Sequence, residues 1–413
     1  MKKNIILISM ALTSAFALTG CGAFSFLPGD EKDNSATEVA AESVTASVTE
    51  ESSSVTTTQE TTIRQNTETT PAEKHESELT LLAVGDNLIH DTVYEQFYKG
   101  DGIYDFHPLY ENIKYIVEDY DIAVINQETI FVEDDDEISN YPAFGTPHEM
   151  GEALVDSGFD VILSSSNHTM DKGADNIEYM YDYWETRFPE VTVLGIHGNE
   201  EDSNNIDIVE KNGISLAMFN YTYGLNGYTL PEGREYLVDL LDDKEKFLSD
   251  IKTAEDKADM TVCFLHIGDE YVYEPTEFHK QYVDDVIDAG ADLVICAHPH
   301  VVEPYGEITT ANGNKGIVYY SCGNFVSAQG EIDRLLGGMA SVTIKKTTQG
   351  DKSETVVSDY DFIPEVMHQS EWSAVAYALE DYTDTLASTH WITSYDSRFS
   401  VDYLWELWKY ITE

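Results

Sequence analysis

Between residues 79 and 344 the chain alternates short, nearly continuous apolar runs with amphipathic stretches, and this alternation restricts its fold more than any other feature. The apolar runs lie at 79–84, 122–125, 161–164, 191–194, 215–219, 261–265, 293–296, 317–320 and 339–344. Each is rich in β-branched and aliphatic residues and bordered by Gly, Asp or Asn, so each reads as a strand covered on both faces. Helical spacing intervenes at 110–118, 147–157, 174–187, 244–258 and 277–289. Strand and helix in succession specify an α/β architecture with mixed sheets inside and helices outside.

Six apolar runs end in blocks of polar residues: Gly85 to His90, Asn126 to Glu128, Ser166 to Gly173, His266 to Tyr271, His298 to His300, and Cys322 to Phe325. In α/β sheets the carboxyl ends of strands carry the chemistry, so these blocks are expected to converge on one edge. Asp86, Glu128, Asn167, His266, His298 and His300 are the oxygen and imidazole donors of a divalent metal site, with Glu128 placed to bridge two ions. Asn167, His266 and His298 would complete one ion, and Asp86, His300 and His90 the other. Such donors suit manganese, zinc or iron alike. His168, beside Asn167, is the candidate proton donor to a leaving group. Asp171 either orients His168 or caps the helix that begins near Ala174. Pro299 stiffens the loop presenting the two histidines beside it. Asn126, Glu270 and Asn324 are assigned to the rim of the site. His75, His107, His148, His197, His279, His368 and His390 have no such company and read as ordinary polar side chains.

The two ends differ from this middle. Lys2 and Lys3, an apolar stretch from Ile5 to Leu18, and Leu18-Thr19-Gly20-Cys21 read as an export signal over residues 1–21. Cys21 resembles a lipobox cysteine, which places the chain on the outer face of the cell membrane, held there by lipid alone. Residues 22–78 are Ser, Thr, Glu, Ala and Gln with few large apolar side chains, a composition expected to stay disordered. The folded domain is expected over 79–345. An extension follows over 346–413, comprising a polar strand-and-turn region to Ser358 and helices near 373–386 and 401–411, packed on the domain. A formal net charge of −54 excludes nucleic acid as a partner, because no basic stripe offsets it. Cys263, Cys296 and Cys322 sit in apolar runs and read as buried thiols rather than a disulfide framework, with one bridged pair as the alternative if their strands are neighbours.

In this order and spacing the six blocks resemble the bacterial capsule synthesis CapA family, whose members accompany poly-γ-glutamate production, and which is similar to the calcineurin-like metallophosphoesterases. The resemblance spans about residues 79–344. It implies a four-layer α/β sandwich with a metal-type site at the strand ends and a surface role in synthesis, export or anchoring of an anionic polymer. Some residues depart from the pattern. Asp86 is followed by Asn87 and Leu88 where metallophosphoesterases carry Asp-x-His, which leaves His90 at a different offset. Glu128 stands where the superfamily has aspartate, Ile267 where relatives have tryptophan, Cys296 where a glycine is usual, and Glu303 where glutamine is frequent. Three functions follow: a metal-dependent hydrolase acting on a phosphoester or a γ-glutamyl amide, a non-catalytic accessory that holds polymer or docks a membrane ligase complex, or a lipid-anchored 5′-nucleotidase-like enzyme.

Overall fold

The computed structural model describes residues 73–371 and 373–413. The export signal, Cys21 and residues 22–72 of the expected linker lie outside the described residues. Two sheets organise the described chain, one of eight strands and one of six. In chain order their strands are β1 (Lys74–Asn87), β2 (Ile122–Asn126), β3 (Val161–Leu163), β4 (Thr192–Leu194), β5 (Asp207–Lys211), β6 (Ile214–Thr222), β7 (Met260–His266), β8 (Leu293–Ala297), β9 (Tyr305–Thr309), β10 (Lys315–Tyr319), β11 (Asn324–Val326), β12 (Leu336–Gln349), β13 (Lys352–Gln369) and β14 (Ala374–Ala378). The first sheet runs β14-β13-β12-β1-β2-β3-β4, with β11 also paired to β1, and the second runs β9-β10-β8-β7-β6-β5.

The central strands are apolar on both faces because each face meets a different layer. In β1, Leu79, Leu81 and Ala83 enter the core between the sheets, whereas Leu82 and Val84 face outward. Ile122 and Val124 against Ala123 and Ile125 repeat this parity in β2. In the second sheet Val262 and Phe264 of β7 point inward, and Cys263 and Leu265 outward. The outer face of the first sheet is covered by α1 (Asp91–Phe97), α2 (His107–Tyr110), α3 (Lys114–Val117), α4 (Glu149–Asp156) and α5 (Ala174–Arg187). The outer face of the second is covered by α6 (Lys244–Ala254) and α7 (Glu277–Ala289). Helix, sheet, sheet and helix make the expected four-layer α/β sandwich. Among the described residues no helix is long and apolar enough to cross a membrane, and Cys263, Cys296 and Cys322 are free and buried.

Both ends of the domain extend further than the apolar pattern indicates. β1 already begins at Lys74, inside the segment read as linker, because residues 74–78 pair antiparallel with 345–349 of β12. Polar strands of this kind carry no hydrophobic signature. The C-terminal segment is built into the sheet rather than laid upon it: β13 pairs with β12 along fourteen positions, and β14 pairs with β13. The helix expected near 373–386 is therefore corrected to strand β14, a 3-10 turn and the short helix α8 (Asp384–Thr389). Alternating Ala-Val-Ala-Tyr-Ala suits an edge strand, and the partner strand overrides alanine's helical preference.

The helix expected near 401–411 is present as α9 (Val401–Thr412), with Ser400 accepting the Tyr403 amide as its N-cap. It closes the inter-sheet core with Leu404, Leu407, Trp408 and Ile411, and the Trp408 ring lies 4.9 Å from that of Phe362 on β13. Trp408→Ala is expected to cost about 3–5 kcal/mol, read as a lowered urea midpoint of the whole domain. Unchanged global unfolding, with loss confined to a local transition, would show that α9 is only an appendage.

Candidate metal centre

Strand register gathers the polar blocks. Asp86 at the end of β1 stands opposite Asn126 on one side and Asn324 on the other. His266 ends β7 between Thr222 of β6 and Ala297 of β8. The two sheets thus open their carboxyl edges toward one point. Gly85 makes the approach possible: a Cβ there would sit 1.9 Å from the Gly323 carbonyl oxygen, which accepts the Asp86 amide at 2.9 Å. The glycines of Gly85-Asp86 and Cys322-Gly323-Asn324 are two sides of one backbone contact.

His298 and His300 have φ of +101° and +60°, conformations that cost on the order of 1–3 kcal/mol each outside glycine and persist where neighbours enforce them. The enforcing contacts are visible. Asp86 Oδ2 accepts the His298 amide at 3.3 Å and lies 3.0 Å from His300 Nδ1. Asn324 Oδ1 is also 3.0 Å from that nitrogen, while Asn324 Nδ2 donates to the His300 carbonyl. Asn126 Nδ2 donates to Asp86 Oδ1 at 2.7 Å and lies 3.2 Å from His266 Nδ1. Asn126 and Asn324 are therefore buried supports beneath the donors, not the rim positions expected from sequence. The register that pairs them with Asp86 places them there.

Donor atoms of Glu128, His266 and His298 lie within 4.8 Å of one another, as do those of Asp86, Glu128 and His300, and those of Glu270, His298 and His300. Glu128 belongs to two of these groups, the position of a bridging carboxylate. Asn167 Oδ1 joins the first at 2.8 Å from His266 Nε2. Glu270, assigned to the rim, is exposed yet reaches the imidazoles. His90 enters none of these groups: its Nδ1 is 3.0 Å from the Leu88 carbonyl and accepts the Ala328 amide. It lines the adjoining cavity instead.

The pocket fits a divalent cation on its own chemistry. Both Glu128 carboxylate oxygens, Asn126 Oδ1 and His298 Nδ1 are buried without a hydrogen-bond partner. Such groups are costly unless something else satisfies them. Burial, and then the charge of Asp86, push Glu128 well above the usual carboxylate range. Burial first, and then neighbouring histidines, hold His266 and His298 well below ordinary imidazole, so both rings are neutral. Burial would also lower His300, but Glu128 and its hydrogen bond to Asp86 prevail and raise it to about 9.

His168 and Asp171 sit beside this cluster. His168 Nδ1 is 2.7 Å from Asp171 Oδ2, which also accepts the Phe144 amide. Helix α5 has Gly173 at its N-cap, with no side-chain cap bond, so Asp171 orients His168 and does not cap. His168 lines a cavity of about 270 Å³ together with His90, Phe144, Glu270, Tyr271, His300 and Arg334. Several contributors are not evident from the sequence pattern. Asn226 Nδ2 lies 3.3 Å from His168 Nδ1 and Asn226 Oδ1 accepts from Asn167, and Tyr223 lies against His298 at 4.6 Å. Both come from a Gly-rich loop after β6 whose only signal is its turn residues. Arg334 follows the Cys322 to Phe325 block by nine residues, too far to be read with it.

Fold and site together define a four-layer α/β protein with clustered carboxylate and imidazole donors compatible with divalent metal binding. The chain belongs to the family described as bacterial capsule synthesis protein PGA_cap, whose model matches residues 80–329. It is 28% identical over 265 residues to the PGA biosynthesis protein CapA of Bacillus subtilis (strain 168), covering 64% of this chain and 67% of that one. It is 26% identical over 275 residues to the capsule biosynthesis protein CapA of Bacillus anthracis, covering 64% of each. The chain thus spans about two thirds of the relatives it matches. Among solved structures, a putative 5′-nucleotidase from Staphylococcus aureus in complex with alpha-ketoglutarate aligns at a TM-score of 0.42 and 16% identity, covering 72% of this chain and 56% of that one.

Protons and cations compete here. With His300 raised to about 9 and Glu128 raised above its ordinary value, a bound ion must displace at least one proton at neutral pH. Apparent affinity for Mn²⁺ is therefore expected to rise with pH up to about 9, by about tenfold per unit for each proton released. Calorimetry in buffers of different ionisation enthalpy measures that release. An affinity flat from about pH 6 to 9 would mean the donors are already free of protons.

Proposed function

We propose that this protein is a lipid-anchored surface protein acting in synthesis, export or anchoring of a poly-γ-glutamate-type capsule polymer, through a metal-dependent hydrolase site that cleaves a phosphoester. The observation that carries the reading is Glu128, 1% exposed, with neither carboxylate oxygen hydrogen-bonded, set among His266, His298 and His300. Membership of a capsule synthesis family supports the polymer. The residues would hold two ions of manganese, zinc or iron type: one at Glu128, Asn167, His266 and His298, the other at Asp86, Glu128 and His300. When bound, such ions supply Lewis acidity toward a phosphoester and lower the pKa of water.

The protein's own groups do the rest. Asp171 accepts from Nδ1 of His168 and fixes the ring, leaving Nε2 to carry a proton toward the leaving oxygen. Phe144 packs edge-on against His168 at 4.8 Å and limits its rotation. Asp86 holds the backbone of the His298-Pro299-His300 loop, so donor spacing is set before any ligand arrives. One observation favours a polymer-holding role without turnover: His90 stands apart, leaving the second set with three donors. The same assay separates the two readings.

With Mn²⁺-loaded protein, His168→Gln is expected to lower kcat toward a phosphodiester by about 10²–10⁴ while keeping its metal, whereas Glu128→Gln loses metal. Phosphomonoesters and γ-linked polyglutamate serve as parallel substrates, and absence of turnover on all three would leave the holding role. The anchor is tested in the source cell, where Cys21→Ser should abolish labelling by radioactive palmitate. Persistent labelling would place the lipid elsewhere, and no labelling of the unaltered protein would dismiss it.

A further inference from the structure

We propose that Arg334, backed by Tyr271 and Gln329, forms an oxyanion subsite beside the metal centre that holds a second negatively charged group of the substrate. The inference deepens the hydrolase reading above by naming a chemical requirement of its substrate, and rests on that site. The cavity of about 270 Å³ is continuous with the proposed machinery, because His168 and His300 are part of its wall. Arg334 is the one Lys or Arg among its lining residues. In a chain with 23 basic and 77 acidic side chains, a guanidinium facing the reaction cavity is a specific placement.

Its surroundings hold it ready for an anion. The guanidinium carbon lies 3.6 Å from the centroid of the Tyr271 ring, which restrains the planar group without using its donors. Tyr271 is itself fixed in the left-handed region, at φ +66°, and its amide donates to the Pro299 carbonyl at 2.8 Å. The Arg334 carbonyl accepts from Asn324 Nδ2, the amide that also braces His300. Subsite and metal donors therefore share one frame. Gln329 lines the same cavity, accepting from Asn324 Nδ2 and donating toward the Tyr271 hydroxyl.

The donors of Arg334 are incompletely used. Its Nε is buried without a partner, and its carboxylate contact is Glu331, 2.8 Å from Nη1 and 56% exposed on the side chain. A solvated partner of that kind is readily exchanged, whereas a buried N–H with no acceptor calls for one. An incoming carboxylate or phosphate oxygen pair would satisfy it in the forked geometry that arginine favours. Glu270 is the acidic side chain of the cavity wall, and it also lies within ligating distance of His298 and His300. Metal at that group would draw its charge away from the cavity, so anion affinity should be greater in the loaded protein.

The test is calorimetric binding to the full-length protein, Mn²⁺-loaded and after EDTA treatment, of γ-linked triglutamate, its α-carboxamide analogue and pyrophosphate. Arg334→Gln should weaken anion binding by about tenfold, and Arg334→Lys by less, because charge is retained but the fork is lost. Glu331→Gln should tighten binding by a few-fold through release of Nη1, an outcome that structural damage does not produce. Asp351→Asn, in the turn joining β12 to β13 at the opposite end of those strands from Arg334, controls for overall charge and should leave binding unchanged. Effects on triglutamate alone assign carboxylate, effects on pyrophosphate alone assign phosphate, and effects on both assign a general oxyanion subsite. Equal affinity of all variants, weakening by both Arg334→Gln and Glu331→Gln, or no saturable binding of either anion overturns the proposal. If phosphoester turnover is absent while the binding pattern holds, the hydrolase reading falls and the subsite stands. Turnover of a simple diester without any Arg334 effect on anion binding gives the converse.

Discussion

The carboxylate of Asp86 is the contact through which the two sheets and the histidine loop are tied. One oxygen takes the Asn126 amide from the neighbouring strand, and the other takes the His298 amide and lies against His300. Asp86 is fully buried, so these partners offset a desolvation cost that would otherwise be several kcal/mol. It reaches this position because Gly85 lets β1 touch the Gly323 turn. A carboxylate placed by sheet register thus fixes a loop from the other sheet, and donor spacing becomes a property of the fold rather than of flexible side chains.

The same burial decides which donors are charged. Glu128 has no amide or hydroxyl to stabilise its anion, so in the metal-free pocket desolvation favours its neutral form. The Asp86 carboxylate, by contrast, meets the Asn126 side-chain amide, the His298 backbone amide and the His300 ring. His266 and His298 are held neutral by burial and by the imidazoles around them, while His300 touches Asp86 and keeps its proton. The Glu128 carboxyl and the three imidazoles in one dry space therefore differ in protonation through burial and their neighbours. A divalent charge would reverse the Glu128 preference and displace the His300 proton, which makes the cluster responsive to metal in a way that scattered surface acids are not.

The sequence discloses those parts of the molecule whose signal is local. β2, α5 and α7 appear where apolar continuity and helical spacing place them, because their partners lie in the core and demand hydrophobic residues. Polar strands escape that logic: β5 and the first half of β13 pair with a neighbour, but most of their side chains face solvent, so no run of apolar residues announces them. The site divides in the same way. Asp86, Glu128, Asn167, His266, His298 and His300 stand at strand ends in distinctive company and were readable as a set. Asn126 and Asn324 were visible as polar residues, yet their place beneath the donors depends on register across strands, which is a pairing property. Arg334, Asn226 and Tyr223 reach the site by loop closure, and nothing adjacent in sequence marks them.

The acidity of the whole chain and the proposed affinity for a polyanion are reconcilable on length scale. At physiological ionic strength exposed charges are screened beyond about 8 Å, so a formal net charge of −54 bars a polyanion less than the raw number implies. Inside the buried cluster, screening is weak and a few groups decide the field. There the ordered positive charge is sparse: His300 carries its proton, and Arg334 lies over Tyr271. An anionic polymer strand drawn to that edge would meet net attraction only where cations are supplied, by the side chains and by the ions the donors are shaped to hold.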